Sequence, residues 1–188
     1  MSTDTRAATG PSQWGLAALG GVALAVAAGL GAYAEVHPGD GAALTTLGFG
    51  GVLEMKSWLT TAAAVLVLVQ VVSALAMWGR LPGVTDAPPW VSGLHRWTGT
   101  VAFLLTLPVA FHCVWSLGFE DESARVLVHS VAGCVVYGVF AAKMLALRLR
   151  GLPSATVPVL GGLLAAVIVL VWFSSALWFF GQSGPVRY

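Results

Sequence analysis

The chain has 188 residues, of which 57% are hydrophobic and 9% charged, with a formal net charge of +1. So few charges, with a mean hydropathy of +0.85, exclude a soluble domain and point to an integral membrane protein. No basic patch offers itself to nucleic acid, no Cys-x-x-Cys-His run could attach haem covalently, and no glycine-rich phosphate loop follows a strand.

Five apolar stretches near the ~20 residues that cross a bilayer as helix fall at 14–33, 57–79, 90–117, 123–149 and 156–180. They are apolar all round, as in "TAAAVLVLVQVVSALAM", where the strands of a membrane barrel would alternate apolar and polar residues. The expected fold is therefore all-α: five transmembrane helices in an up-down bundle, forming one domain over 14–188. Residues 1–13, "MSTDTRAATGPSQ", are polar and expected to be disordered. The first span ends on "AYA" at Ala32 to Ala34, the small-residue pattern of a signal-peptide cleavage site. Its length and its single nearby positive charge, Arg6, favour a retained helix.

Further along, His37 in "EVHPGD" reads as a solvated loop residue, and span two has no ionisable group in its central turns. Span three carries His95 in "LHRWTG" and His112 in "PVAFHCVW", with Pro108 one turn before His112. That proline removes a backbone hydrogen bond and is expected to bend the helix. Span four carries His129 in "RVLVHSVAGCVVYG", where Ser130, Ala132 and Gly133 keep the neighbouring surface small. Cys113 and Cys134 fall at depths about 9 Å apart on ideal helices, which argues against a disulfide and for small packing residues. Lys143 reads either as a side chain reaching to the interface with Arg148 or as a quinone-headgroup contact.

Lys and Arg are retained on the cytoplasmic side of a membrane. One set of span ends holds Arg6, Arg80, Arg96, Lys143, Arg148 and Arg150. The other holds Lys56, Arg125 and Arg187, beside Glu35, Asp40, Glu54, Glu120, Asp121 and Glu122. This places the N-terminus in the cytoplasm and the C-terminus outside, in a cytoplasmic membrane. Trp14, Tyr33, Trp58, Trp78, Trp90, Trp115 and Trp178 then fall near span ends, as interfacial aromatic belts do.

A histidine within a span costs a few kcal/mol unless it finds a partner, on the order of the values for other polar groups there. Spans three and four are joined by a few residues, so they are expected to be antiparallel neighbours. His112 and His129 then both lie about 8 Å below the outer surface. Two neutral imidazoles at one depth on neighbouring helices suit the two axial positions of a haem iron. The alternative for each is a neutral ring hydrogen-bonded to a backbone carbonyl or a serine. His95, about 100° round an ideal helix from His112, cannot share that groove. A second haem there would need Met77, Lys143 or Met144 as its partner, and otherwise His95 and Arg96 form an interfacial pair beside lipid headgroups.

The run "LHRWTGTVAFLLTLPVAFHCVW" followed by "RVLVHSVAGCVVYG" resembles the small b-type membrane cytochromes, the b561-like and ferric-reductase-like haem proteins, over spans two to five. It is also similar to an uncharacterised bacterial membrane family. The cytochrome resemblance implies electron transfer through haem b, with His112 and His129 at ligand positions, Gly133 beside the cofactor, and His95 a ligand only of a second haem. The chain departs from that pattern: b561 proteins use four histidines, usually on alternate helices, and here three lie within the spans. A single haem near the outer face is what carries over. With no flavin or nicotinamide motif, the donor is expected to be a separate redox protein or a quinol, making the chain an oxidoreductase or an electron-transfer subunit. The other class of function is a non-catalytic structural or assembly subunit, whose small-residue patches "LGGVALAVAAGLGAYA" and "PVLGGLLAA" would pack against other membrane subunits.

Overall fold

The computed structural model describes residues 13–183, and all regular structure in that range is helical. The order is α1 (Gln13–Val36), α2 (Val52–Met77), α3 (Trp90–Phe111), a π-helical turn π1 (His112–Leu117), α4 (Ala124–Ala146), α5 (Thr156–Trp172), a second π turn π2 (Phe173–Leu177) and α6 (Trp178–Ser183). With the π turns included, five helices are long and apolar enough to cross a membrane: Gln13–Val36, Val52–Met77, Trp90–Leu117, Ala124–Ala146 and Thr156–Gln182. The described residues thus form an all-helical fold whose five long helices have the length and apolarity of membrane spans. The tail expected to be disordered lies outside the described residues except for Gln13, which opens α1.

Two boundaries moved for local reasons. The second helix starts five residues before the apolar run, because Glu54 reaches back to accept the backbone N–H of Gly50 and so caps a polar first turn. In α4, Ser123 stands outside the helix and its hydroxyl accepts from the N–H of Val126, an N-cap. The connections at 37–51 and 118–123 share one end of the bundle, called the upper end here; those at 78–89 and 147–155 share the lower end.

Packing departs from chain order. α3 lies along α2, α4 lies between α1 and α5, and α2 also meets α5. The expectation that α3 and α4 are antiparallel neighbours holds only through long side chains: their backbones are not among the closely packed pairs, although only residues 118–123 join π1 to α4. Long side chains bridge the space instead. Phe103 stacks on Phe140 with ring centroids 4.1 Å apart, and Tyr137 donates to the carbonyl or hydroxyl of Thr106 at 3.0 Å. By contrast α1 and α4 touch closely, because Gly138 sits against the backbone of Ala23. A methyl there would lie 2.3 Å from the Ala23 carbonyl oxygen, so this crossing requires glycine.

The upper end is closed by the 37–51 connection. Gly39 lies directly on the carbonyl of Ser116, the Gly41 N–H donates to that same carbonyl, and the Ser116 hydroxyl donates to the Ala42 carbonyl at 2.6 Å. Gly118, at φ 82°, turns the chain away from π1 in a conformation that other residues rarely adopt.

Candidate functional site

Because α3 and α4 stand apart, a cavity of about 160 Å³ opens between them in the upper half of the bundle. Its walls are mostly apolar and come from all five long helices, with Leu30, Ala63, Val109, Ala110, Gly133 and Ile168 among them. Polar groups on the walls are His129, Ser130, Thr60, Thr106 and Tyr137, and both cysteines face it. A Cβ built on Gly133 would meet nothing within 4 Å, so this glycine keeps space open and fits no neighbour. Cys113 and Cys134 are free thiols. Both line the cavity, Cys113 from π1 and Cys134 from α4, and Cys134 also packs toward α1, where a Cβ built on Gly31 would be 3.8 Å from its Sγ.

His129 lines this cavity, and its ring is tied to π2. Its Nδ1 lies 3.1 Å from the hydroxyl oxygen of Ser174 in π2. With the hydroxyl proton on the Leu170 or Val171 carbonyl, the imidazole donates from Nδ1–H and Nε2 keeps its lone pair. The wide turn that carries Ser174 is held in place by Arg125, which donates to the Ser174 carbonyl at 2.6 Å and stacks its guanidinium over Trp178.

His112 is likewise held, but elsewhere. It opens π1 and is only 1% exposed. Its Nδ1 donates to the Pro108 carbonyl at 2.7 Å, one turn back, and its Nε2 faces the backbone N–H of Thr45 at 3.5 Å. The next residue, Cys113, is on the cavity wall and His112 is not, so the two histidines share the upper end without sharing one wall. A hydrogen bond at 3.5 Å is near the limit of a real one, so Nε2 is weakly occupied.

At the lower end, His95 repeats the arrangement of His129. Its Nδ1 is 2.8 Å from the hydroxyl of Ser73 in α2, whose proton goes to the carbonyl of Val69 at 2.7 Å. Again Nδ1–H donates and Nε2 stays free. Gln70, one turn deeper, donates to the His95 carbonyl and to the Thr98 hydroxyl, and its amide fills the space over Gly99. Met77 and Met144 are 38% and 43% exposed on the outside of the bundle, and the His95 ring bonds to a serine rather than to either of them. Among the described residues, no three of His, Cys, Asp and Glu converge on a point that could hold a metal ion.

A model of a family of unknown function, DUF6529, matches residues 16–187, nearly the whole chain. The chain belongs to the DUF6529 family. No curated protein and no solved structure matches it. For this DUF6529 member the chemistry therefore rests on its own residues, above all on three imidazoles that each hold a proton on Nδ1 and a lone pair on Nε2. That is the form in which histidine binds metals, with the second nitrogen fixed by an outer partner. The sequence singled out the histidines and Gly133. It did not single out Ser73, Ser174, Gln70 or Tyr137, whose signal was available: polar side chains in otherwise apolar spans, the first three bonded to the histidines or beside them.

Proposed function

We propose that the protein is a haem-binding electron-transfer protein of the cytoplasmic membrane, with its upper end outside. The orientation rests on the basic residues Arg80, Arg96, Lys143, Arg148 and Arg150 at the lower end. The observation that carries the haem reading is His129: a neutral imidazole, fixed by Ser174, with Nε2 free on the wall of an apolar cavity between helices that do not close on each other. In donor chemistry the residues fit a haem. His129 would be one residue to hold it, and His112, which lies off the cavity wall with its Nε2 3.5 Å from the Thr45 N–H, would have to turn into the cavity to be the other. In volume the cavity is smaller than the ~300–1,000 Å³ usual for small-molecule sites. Binding therefore requires α3 and α4 to separate further, a motion resisted mainly by side-chain bridges from Phe140 and Tyr137. A bound haem would supply one-electron chemistry. The chain's part is to orient the ligands, exclude water with apolar walls and cover His112 with the 37–51 connection. One haem is proposed, since His95 at the lower end has no second histidine opposite it.

The test is spectroscopic. Protein purified from haem-replete cells is expected to be coloured, with a Soret band that shifts on dithionite reduction and a b-type pyridine haemochrome. His112→Ala and His129→Ala each abolish the low-spin spectrum, whereas His37→Ala leaves it unchanged. Colourless wild-type protein would overturn the reading in favour of a structural or assembly subunit.

A further inference from the structure

We propose that π1 is a two-position element coupling the cavity to the 37–51 connection: turning His112 into the cavity to hold the haem releases residues 38–48 from the end of the bundle. The inference deepens the haem reading and rests on it.

His112 and Ser116 are four residues apart on π1 and share a face, where they are 1% and 2% exposed. The adjoining face carries Cys113 and Val114, which line the cavity together with Val109 and Ala110 of α3. Neighbouring residues of a helical turn point about 80–100° apart, so replacing Cys113 by His112 on the cavity wall takes roughly a quarter turn of π1. The ring does not swing alone, because its Nδ1 is tied to the Pro108 carbonyl one turn back at 2.7 Å. Ser116 is therefore carried round with it. Pro108 has no N–H to bind the preceding turn, which lowers the resistance to such a rotation.

Those same two residues hold the connection down. The Gly41 N–H donates to the Ser116 carbonyl at 2.9 Å, the Ser116 hydroxyl donates to the Ala42 carbonyl at 2.6 Å, and the Thr45 N–H faces His112 Nε2 at 3.5 Å. Among the described residues, every hydrogen bond from 38–48 to another part of the chain ends on His112 or Ser116; the rest are local, from Ala42 to Asp40, Leu47 to Thr45 and Phe49 to Thr46. Leu47 stands at φ 50°, a left-handed conformation uncommon for leucine, so the segment is strained where it lies. Nε2 has one lone pair, and it cannot face Thr45 and hold a ligand together. A quarter turn of π1 thus removes all three ties at once, and the ligand-free protein is the form in which the connection covers His112.

Coupling of this kind is reciprocal: whatever lifts the connection strengthens haem binding. Full-length protein made without haem is placed in nanodiscs, titrated with hemin by the low-spin Soret band, and read by hydrogen-exchange mass spectrometry over residues 38–48. Hemin is expected to speed exchange there about tenfold, as a locally released segment requires. Gly39→Ala puts a methyl on the Ser116 carbonyl and lifts the connection; it is expected to exchange fast without hemin and to bind hemin about fivefold tighter than wild type. Ser116→Ala, which removes only the bond to Ala42, moves both readings the same way by about twofold, the fold of each variant being checked by circular dichroism. Hemin-bound protein whose connection stays protected would overturn the coupling and leave the haem reading standing. Unchanged or weaker hemin binding in a folded variant with a loosened connection would do the same. Wild-type protein that takes up no hemin would overturn both.

Discussion

Two glycines five residues apart on α4 make opposite predictions. Gly138 faces α1 and Gly133 faces the cavity, about 140° round the helix at 100° per residue. An alanine methyl at 138 would lie 2.3 Å from the Ala23 carbonyl oxygen and 3.1 Å from the Ala27 methyl. Ordinary contact begins at 3.4 Å, so the α1–α4 crossing must open by about 1 Å. Overpacking of this kind costs about 1–3 kcal/mol. At 133 the same methyl meets nothing within 4 Å. Both substitutions share the gain in helix propensity, up to about 1 kcal/mol, so it cancels when they are compared. Gly138→Ala is therefore expected to be about 1–3 kcal/mol less stable than Gly133→Ala. Reversible unfolding in mixed micelles titrated with sodium dodecyl sulfate, followed by tryptophan fluorescence, gives the difference. Equal stabilities, or a larger loss at 133, would refute the assigned α1–α4 packing and the open space beside Gly133.

Other consequences follow from single contacts. Gly39→Ala places a methyl on the Ser116 carbonyl and must lift the 37–51 connection; His112, 1% exposed in the wild type, should then become reactive to diethyl pyrocarbonate, read by peptide mass spectrometry. Unchanged protection would show that the connection does not cover it. Tyr137→Phe removes the hydrogen bond to Thr106 that bridges α3 and α4, with an expected loss of about 0.5–1.5 kcal/mol in the same micelle titration. No loss would mean that the Phe103–Phe140 stack alone sets the spacing.

The elements were legible because a bilayer imposes a length and a polarity that any twenty-residue window reveals, and the histidines stood out against them. Helix partners were not. The short connection after Leu117 suggests that α3 and α4 pack together. Yet Ser73 and Gln70 tie α3 to α2 through the ring and backbone of His95, and Gly138 ties α4 to α1. Those contacts join residues far apart in the chain, and hydropathy carries no record of them. The π turns left a partial trace: Pro108 precedes π1 by one turn, and its carbonyl is the one that fixes His112. Nothing comparable precedes π2, which shows itself only through the Arg125 hydrogen bond to its carbonyl. The place of the two upper histidines near one end of the bundle was readable from the sequence, but the direction of each ring was not, since it depends on Thr45 and Ser174.

The pairing of α1 with α4 also sets an order of events during biosynthesis. After α1 leaves the ribosome, roughly ninety residues of chain precede the first turn of its partner, about 5–20 seconds at ordinary elongation rates. Through that interval the small-residue face of α1 is uncovered, while α2 and α3 can already clasp each other. The upper cavity, which draws a wall from every long helix, comes into being only when α4 and α5 arrive, so anything destined for it has to enter at the last step of assembly or after it.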